Sequence, residues 1–108
     1  MSAAHTAFFG DAEYTFRLTP ALIVELEQKC GPIGLICHRV FNRQFAQSDI
    51  SETIRLGLIG GGTDPKRAAS LIAAYVADRP FAETWPIAAK TLERAWFGAP
   101  THEEAKTT

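Results

Sequence analysis

A period-two segment that runs straight into a capped helix start does most to limit how this chain can fold. Tyr14-Thr-Phe-Arg-Leu18 alternates apolar and polar residues, a pattern that buries one face of a strand and wets the other. Thr19-Pro20 follows with no linker between. Threonine is a good N-cap, and proline suits the first helical position because its missing N–H would be unpaired there. Upstream, Ala7-Phe8-Phe9 is a second strand candidate, and Gly10-Asp11-Ala12-Glu13 supplies the turn chemistry between them. A hairpin this small is unstable by itself. Its aromatic face must therefore pack on the helices that follow, or on another chain.

The helices announce themselves by their faces and their ends. Leu22, Ile23, Leu26 and Cys30 share one face, closed by Gly31-Pro32. Ile33, Ile36, Cys37, Val40 and Phe41 then fit helical spacing and predict a second helix from Pro32 to about Phe45. A strand over Ile33 to Val40 is the competing reading. Ser48 or Asp49 is the expected cap of a third helix, striped by Ile50, Ile54 and Leu58 and ending at Gly60-Gly61-Gly62. Asp64-Pro65 repeats the cap-plus-proline start and opens a fourth, with Ala68, Leu71, Ile72, Tyr75 and Val76 on its face and a stop at Arg79-Pro80. Thr84 or a neighbour opens the fifth, which places Ala88, Leu92, Ala95 and Trp96 together before Gly98-Ala-Pro100. The expected fold class is α+β, an N-terminal β-hairpin packed on a cluster of about five short α-helices. At 108 residues one core is the natural unit. Residues 1–100 are expected to form that single domain, and 101–108 a disordered polar tail.

Charge and composition remove several classes of partner. The net charge is −1, and the basic residues cluster only as Arg39 with Arg43 and Lys66 with Arg67. A nucleic-acid surface usually needs a basic excess or stripe, so the composition disfavours DNA or RNA as a partner. No apolar run approaches the ~20 residues of a membrane span. The start Met-Ser-Ala-Ala-His has neither the basic nor the apolar region of a signal peptide. A cytoplasmic location is expected, with Cys30 and Cys37 as buried thiols rather than a disulfide.

Tests for chemistry fail one after another. Gly57-Leu-Ile-Gly-Gly-Gly-Thr63 lacks the lysine of a phosphate loop and follows a helical pattern, so it reads as a connector. His102-Glu-Glu-Ala-Lys106 lacks the second histidine of a zinc-protease helix. Cys30, Cys37 and His38 offer no fourth metal ligand, and His38 is expected on a helix surface. Ser48, Ser51 and Ser70 lack a nucleophile elbow. Glu25 and Glu27 are two apart, so they point to different sides of a helix. No enzyme, cofactor or metal is therefore expected. Glu27 reads as a solvated residue or the partner of a base such as Arg39.

Aromatic residues are the surplus. Trp96 and Phe97 are neighbours on a helix, about 100° apart, and poorly suited to one narrow buried face. Phe8-Phe9 at a hairpin edge raises the same question. Surface apolar clusters often mark interfaces. With Glu27, these residues form the candidate protein-interface set: Phe8, Phe9, Glu27, Trp96 and Phe97.

The order of the local signals adds a resemblance. Tyr14 to Leu18, Leu26-Glu27, Ser48-Asp49-Ile50, Gly60 to Gly62 and Leu92-Glu-Arg-Ala-Trp-Phe-Gly98 occur in sequence over about residues 9 to 98. That order resembles the gene transfer agent and prophage tail proteins placed among the phage tail assembly chaperones. The resemblance singles out Leu26-Glu27 as that family's Leu-Glu pair. It implies a non-enzymatic tail morphogenesis factor, a helper that binds the tape-measure or tail tube protein before the tube polymerises. The family's names also include "tail tube protein", so a structural component of the finished particle is the alternative, and a homo-oligomer is a further expectation. A client helix could lie between helices, or a client strand could join the hairpin edge. A cytosolic adaptor, or a small DNA-binding helical protein using Arg39, Arg43, Lys66 and Arg67, are the readings from other classes.

Overall fold

Two antiparallel strands, β1 (Ala4–Phe9) and β2 (Ala12–Arg17), close around Gly10-Asp11 in the computed structural model, which describes residues 3–99. Gly10 has φ +67 and Asp11 a negative φ, the sign pattern of the type II′ turn whose twist suits a hairpin. Phe9 pairs with Ala12 and His5 with Phe16. The first strand starts earlier than Ala7 because His5 also lies on the inner face, its ring 6.2 Å from Phe16.

Five helices follow: α1 (Pro20–Cys30), α2 (Ile33–Phe41), α3 (Gln47–Gly60), α4 (Pro65–Tyr75) and α5 (Phe81–Phe97). The α+β class is the expected one. Thr19 Oγ1 accepts from the Leu22 N–H at 3.3 Å, and Asp64 Oδ2 accepts from the N–H groups of Lys66 and Arg67. Both cap-plus-proline starts therefore act as their chemistry predicts.

Several boundaries differ from the sequence expectation, each for a local reason. Helix α2 stops at Phe41 rather than Phe45, because Asn42 turns both its backbone N–H and its Nδ2 onto the His38 carbonyl and Arg43 adopts φ +57. Helix α3 is preceded by Ala46, and neither Ser48 nor Asp49 is its N-cap. Asp49 sits one turn in and reaches back to the Ala46 N–H at 2.8 Å, half of a capping box. Helix α5 begins at Phe81, and Thr84 is a buried residue of its first turns. Its Ala88 and Leu92 are buried, while Ala95 on the same face is exposed because the helix runs on past the core, and so is Trp96, one of the interface candidates. The expected tail, residues 101–108, lies outside the described residues.

Helix α3 is the centre of the core. Ile50, Ile54, Leu56 and Leu58 are all buried, so apolar residues cover more than one face, as a helix enclosed by neighbours requires. It packs against α1, α4, α5 and β2. Its C-terminal end crosses β2 so closely that a Cβ on Gly60 or Gly61 would overlap the carbonyl oxygens of Arg17 and Thr15. The glycine triplet is thus a connector, as expected, and also a contact between two backbones.

Gly61→Ala is expected to destabilise the fold by about 1–3 kcal/mol or more, since the neighbour it meets is backbone. Gly34→Ala, at a helical position where a Cβ meets nothing within 4 Å, should stabilise by about 0.5 kcal/mol. Urea unfolding of the two variants checks the pair, and equal effects would contradict the crossing.

Candidate protein-interaction site

Beyond Leu92, α5 projects its last turn into solvent and lays two aromatics on the surface. Trp96 is 58% exposed and Phe97 75%. Phe97 borders a groove of about 200 Å³ between α2 and α5, lined by Phe41, Trp85, Ala89 and Glu93. A second depression of about 370 Å³ shares Phe41 and Phe97 and is lined by Gly34, Cys37, His38, Asn42 and Trp96. The walls are largely apolar, and the polar groups are those of Glu93, His38 and Asn42.

Borrowed hydrogen bonds hold the α2 wall in place. Pro32 precedes the helix and offers no side-chain acceptor. The Glu27 carboxylate supplies it instead, with Oε2 accepting from the Ile33 N–H at 2.9 Å. Arg39 then fastens three helices at once. Its Nε and Nη2 donate to Asp49 Oδ2 and Oδ1 at 2.8 and 2.7 Å, and Nη2 also donates to the Cys30 carbonyl at 2.9 Å. A two-pronged guanidinium–carboxylate pair fixes orientation as well as distance. Glu27 and Arg39 therefore each have a role, but not with each other.

The α5 wall is tied to α2 through Trp85, whose Nε1 donates to the Val40 carbonyl at 2.7 Å. That carbonyl lies in the last turn of α2, where the usual partner four residues on is missing, and it also accepts from the Arg43 N–H at 3.2 Å. The Arg43 guanidinium sits 5.0 Å from the centre of the Trp85 ring, within cation–π range.

Titration behaviour agrees with a structural role for these groups. Burial pushes the Asp49 carboxyl upward, but the Arg39 hydrogen bonds, the Ala46 N–H and the Arg39 charge outweigh it and hold it below its ordinary range. Burial pushes the Cys37 thiol up to about 11, which keeps it protonated and unreactive at neutral pH. Cys30 is also raised, chiefly by burial, and its Sγ–H donates to the Ser48 carbonyl. Both cysteines are free thiols. His38 lies exposed on α2, as expected. Among the described residues no group of His, Cys, Asp or Glu could hold a metal ion.

The candidate residues part into two kinds. Phe9 is 4% exposed and meets Tyr14, Phe16 and Tyr75 edge-on, and Glu27 caps α2. These two serve the fold. Phe8, 70% exposed, stands on β1 and does not line the groove. Phe97 lines the groove and Trp96 the depression beside it, together with Phe41 in both and Trp85 in the groove, which sequence reasoning did not place there. Their signal was only that Phe41 ends the apolar stripe of α2 and that Trp85 carries an N–H in need of an acceptor.

A family model described as "Phage tail tube protein, GTA-gp10" matches residues 2–98. The chain belongs to the phage tail tube protein family. It matches no curated protein and no solved structure. The phage tail tube family is one of tail proteins rather than of enzymes, which suits a site built from apolar walls without a paired acid and base. Among the described residues of this family member no helix is long and apolar enough to cross a membrane.

Asp49→Ala is expected to cost roughly 3 kcal/mol, since it strands a guanidinium at a three-helix junction. The folded carboxyl titrates below its unfolded value of about 3.9, so its contribution is present above that pH and is lost as pH falls through the folded value. Urea unfolding across that range should therefore find a shallower acid loss in Asp49→Ala than in the unmodified chain.

Proposed function

We propose that this tail-family protein acts by protein–protein contact during assembly of a phage-like tail, as a chaperone for the tape-measure or tail tube protein. The observation that carries the proposal is the groove between α2 and α5, where Trp96 and Phe97 stay in solvent although the same helix buries Ala88 and Leu92. Large apolar side chains gathered beside a groove favour an amphipathic client segment, with apolar residues inward and polar residues at the rim. The rim groups Glu93, His38 and Asn42 give such a segment hydrogen-bonding and charged neighbours without selecting a strongly charged partner. No catalytic step is part of this role, and its place is the cytoplasm of the producing bacterium, where tail components await polymerisation. The family's own description, tail tube protein, favours the second reading, a structural component that stays in the finished tail.

Quantitative mass spectrometry of purified particles beside the producing lysate separates the two. Abundance in lysate with absence from particles is the expected result, and stoichiometric presence in particles would replace the chaperone by a tail component. Trp96→Ala with Phe97→Ala should leave the melting temperature nearly unchanged while weakening client binding about 30-fold or more, as a hot-spot aromatic does. Leu26→Ala, at a fully buried position, should instead cost about 2–5 kcal/mol of stability. A large stability loss in the aromatic variant would remove the groove from consideration.

A further inference from the structure

The hairpin has one sealed edge and one open edge. On β2, the carbonyls of Thr15 and Arg17 face Gly61 and Gly60 of α3, so no strand can add there. On β1 the outward residues follow from two independent facts. A two-residue turn makes Phe9↔Ala12 the hydrogen-bonded closing pair, and bonding then alternates along an antiparallel ladder. Phe8↔Glu13, Thr6↔Thr15 and Ala4↔Arg17 are therefore the unbonded pairs. The β2 carbonyls that meet α3 belong to Thr15 and Arg17 of that same set, pointing away from β1. The N–H and C=O groups of Thr6 and Phe8 must then point outward from β1. Among the described residues none of them has a hydrogen-bond partner, whereas the Ala4 carbonyl is taken by Arg94 Nε at 3.2 Å.

Edges of this kind are usually protected by charge, proline or a bulge. Ala4-His-Thr-Ala-Phe-Phe9 contains no lysine, arginine, aspartate, glutamate or proline. It pairs with β2 residue for residue, without a bulge. In place of protection it carries Phe8, exposed over 70% of its surface.

We propose that β1 pairs antiparallel with β1 of a second copy of this chain, joining two hairpins into one four-stranded sheet across a two-fold axis. The occupant is a second copy because the strand is its own complement in one register. With Thr6 opposite Phe8 of the other copy, every outward group of both residues finds a partner, and Ala4 keeps its bond to Arg94. Ala7 then meets Ala7 at the axis, where a small side chain lets the strands close. On the outer face each Phe8 stands opposite a threonine and diagonal to the other Phe8, distances across which aromatic side chains still touch. Sliding the register toward Ala4 would compete with Arg94, and sliding it toward Gly10 would set Thr6 against the turn. No charged residue of β1 opposes another in any of these arrangements.

The pairing is independent of the client groove, and the test keeps them apart. Sedimentation of the full chain over a range of concentrations should find a species of twice the 11.8 kDa monomer mass. Amide hydrogen exchange on the unmodified chain should find Thr6 and Phe8 protected as concentration rises. The double variant Thr6→Lys with Phe8→Lys sets like charges opposite each other across the pair, and should weaken self-association by about tenfold or more. Phe97→Ala should leave it unchanged. A chain that stays monomeric, or whose Thr6 and Phe8 amides exchange equally fast at every concentration, overturns the proposal. So does a dimer that ignores the double variant or is lost in Phe97→Ala.

Discussion

The close crossing of α3 over β2 makes one body of a hairpin and a set of helices. A two-stranded sheet has too little interior to be stable alone, and no third strand is present among the described residues. Helix α3 takes the place of that strand. Gly60 and Gly61 lie against the carbonyls of Arg17 and Thr15, and a Cβ on Gly57 would stand 3.4 Å from the Phe16 Cβ. Backbone rests on backbone, which only glycine permits at such separation. Burial of Phe16 and Leu18 follows from that approach, and so does the asymmetry of the sheet, closed on β2 and open on β1.

A second constraint fixes the opposite end of the molecule. Helix α2 is short and lacks a side-chain cap of its own, so its position depends on groups lent by α1 and α3. Glu27 gives it an acceptor at the start, and Asp49 with the Cys30 carbonyl anchors Arg39 near its end. The adjacent Leu26 and Glu27 show how one pair can serve two purposes. Neighbours on a helix point about 100° apart, so Leu26 enters the core while Glu27 turns toward the next helix. The groove wall formed by α2 is only as fixed as this junction.

Most of the fold was legible because its signals are local. Alternation from Tyr14 to Leu18, the starts at Thr19-Pro20 and Asp64-Pro65, and the stop at Gly31-Pro32 each depend on a few adjacent residues. What escaped depended on pairing at a distance. Phe8 and Phe9 could be told apart only once the turn length was known, since a shift of one residue exchanges the two faces. Arg39 looked like a partner for Glu27 until the loop after α2 brought Asp49 to it. Pro80 stands between α4 and α5, a stop for the one and the residue before the other, and the sequence signals gave no place to Pro86, which lies inside α5. Ala95 shares a face with Ala88 and Leu92 yet is exposed, because periodicity carries no information about where the core ends.

The open strand and the aromatic groove ask different things of whatever covers them. A strand edge is satisfied by backbone N–H and C=O groups, so it tolerates many sequences and rewards a partner of matching length and register. A groove between helices is satisfied by side chains, so it selects by size and apolar character. The edge lies on β1, whereas the groove is walled by α2 and the end of α5, and they share no lining residue. Self-association through the one would therefore leave the residues of the other uncovered. Under the two proposals together, a pair of chains presents its grooves at a spacing set by the sheet, where a partner long enough to reach both is held more tightly than by either alone.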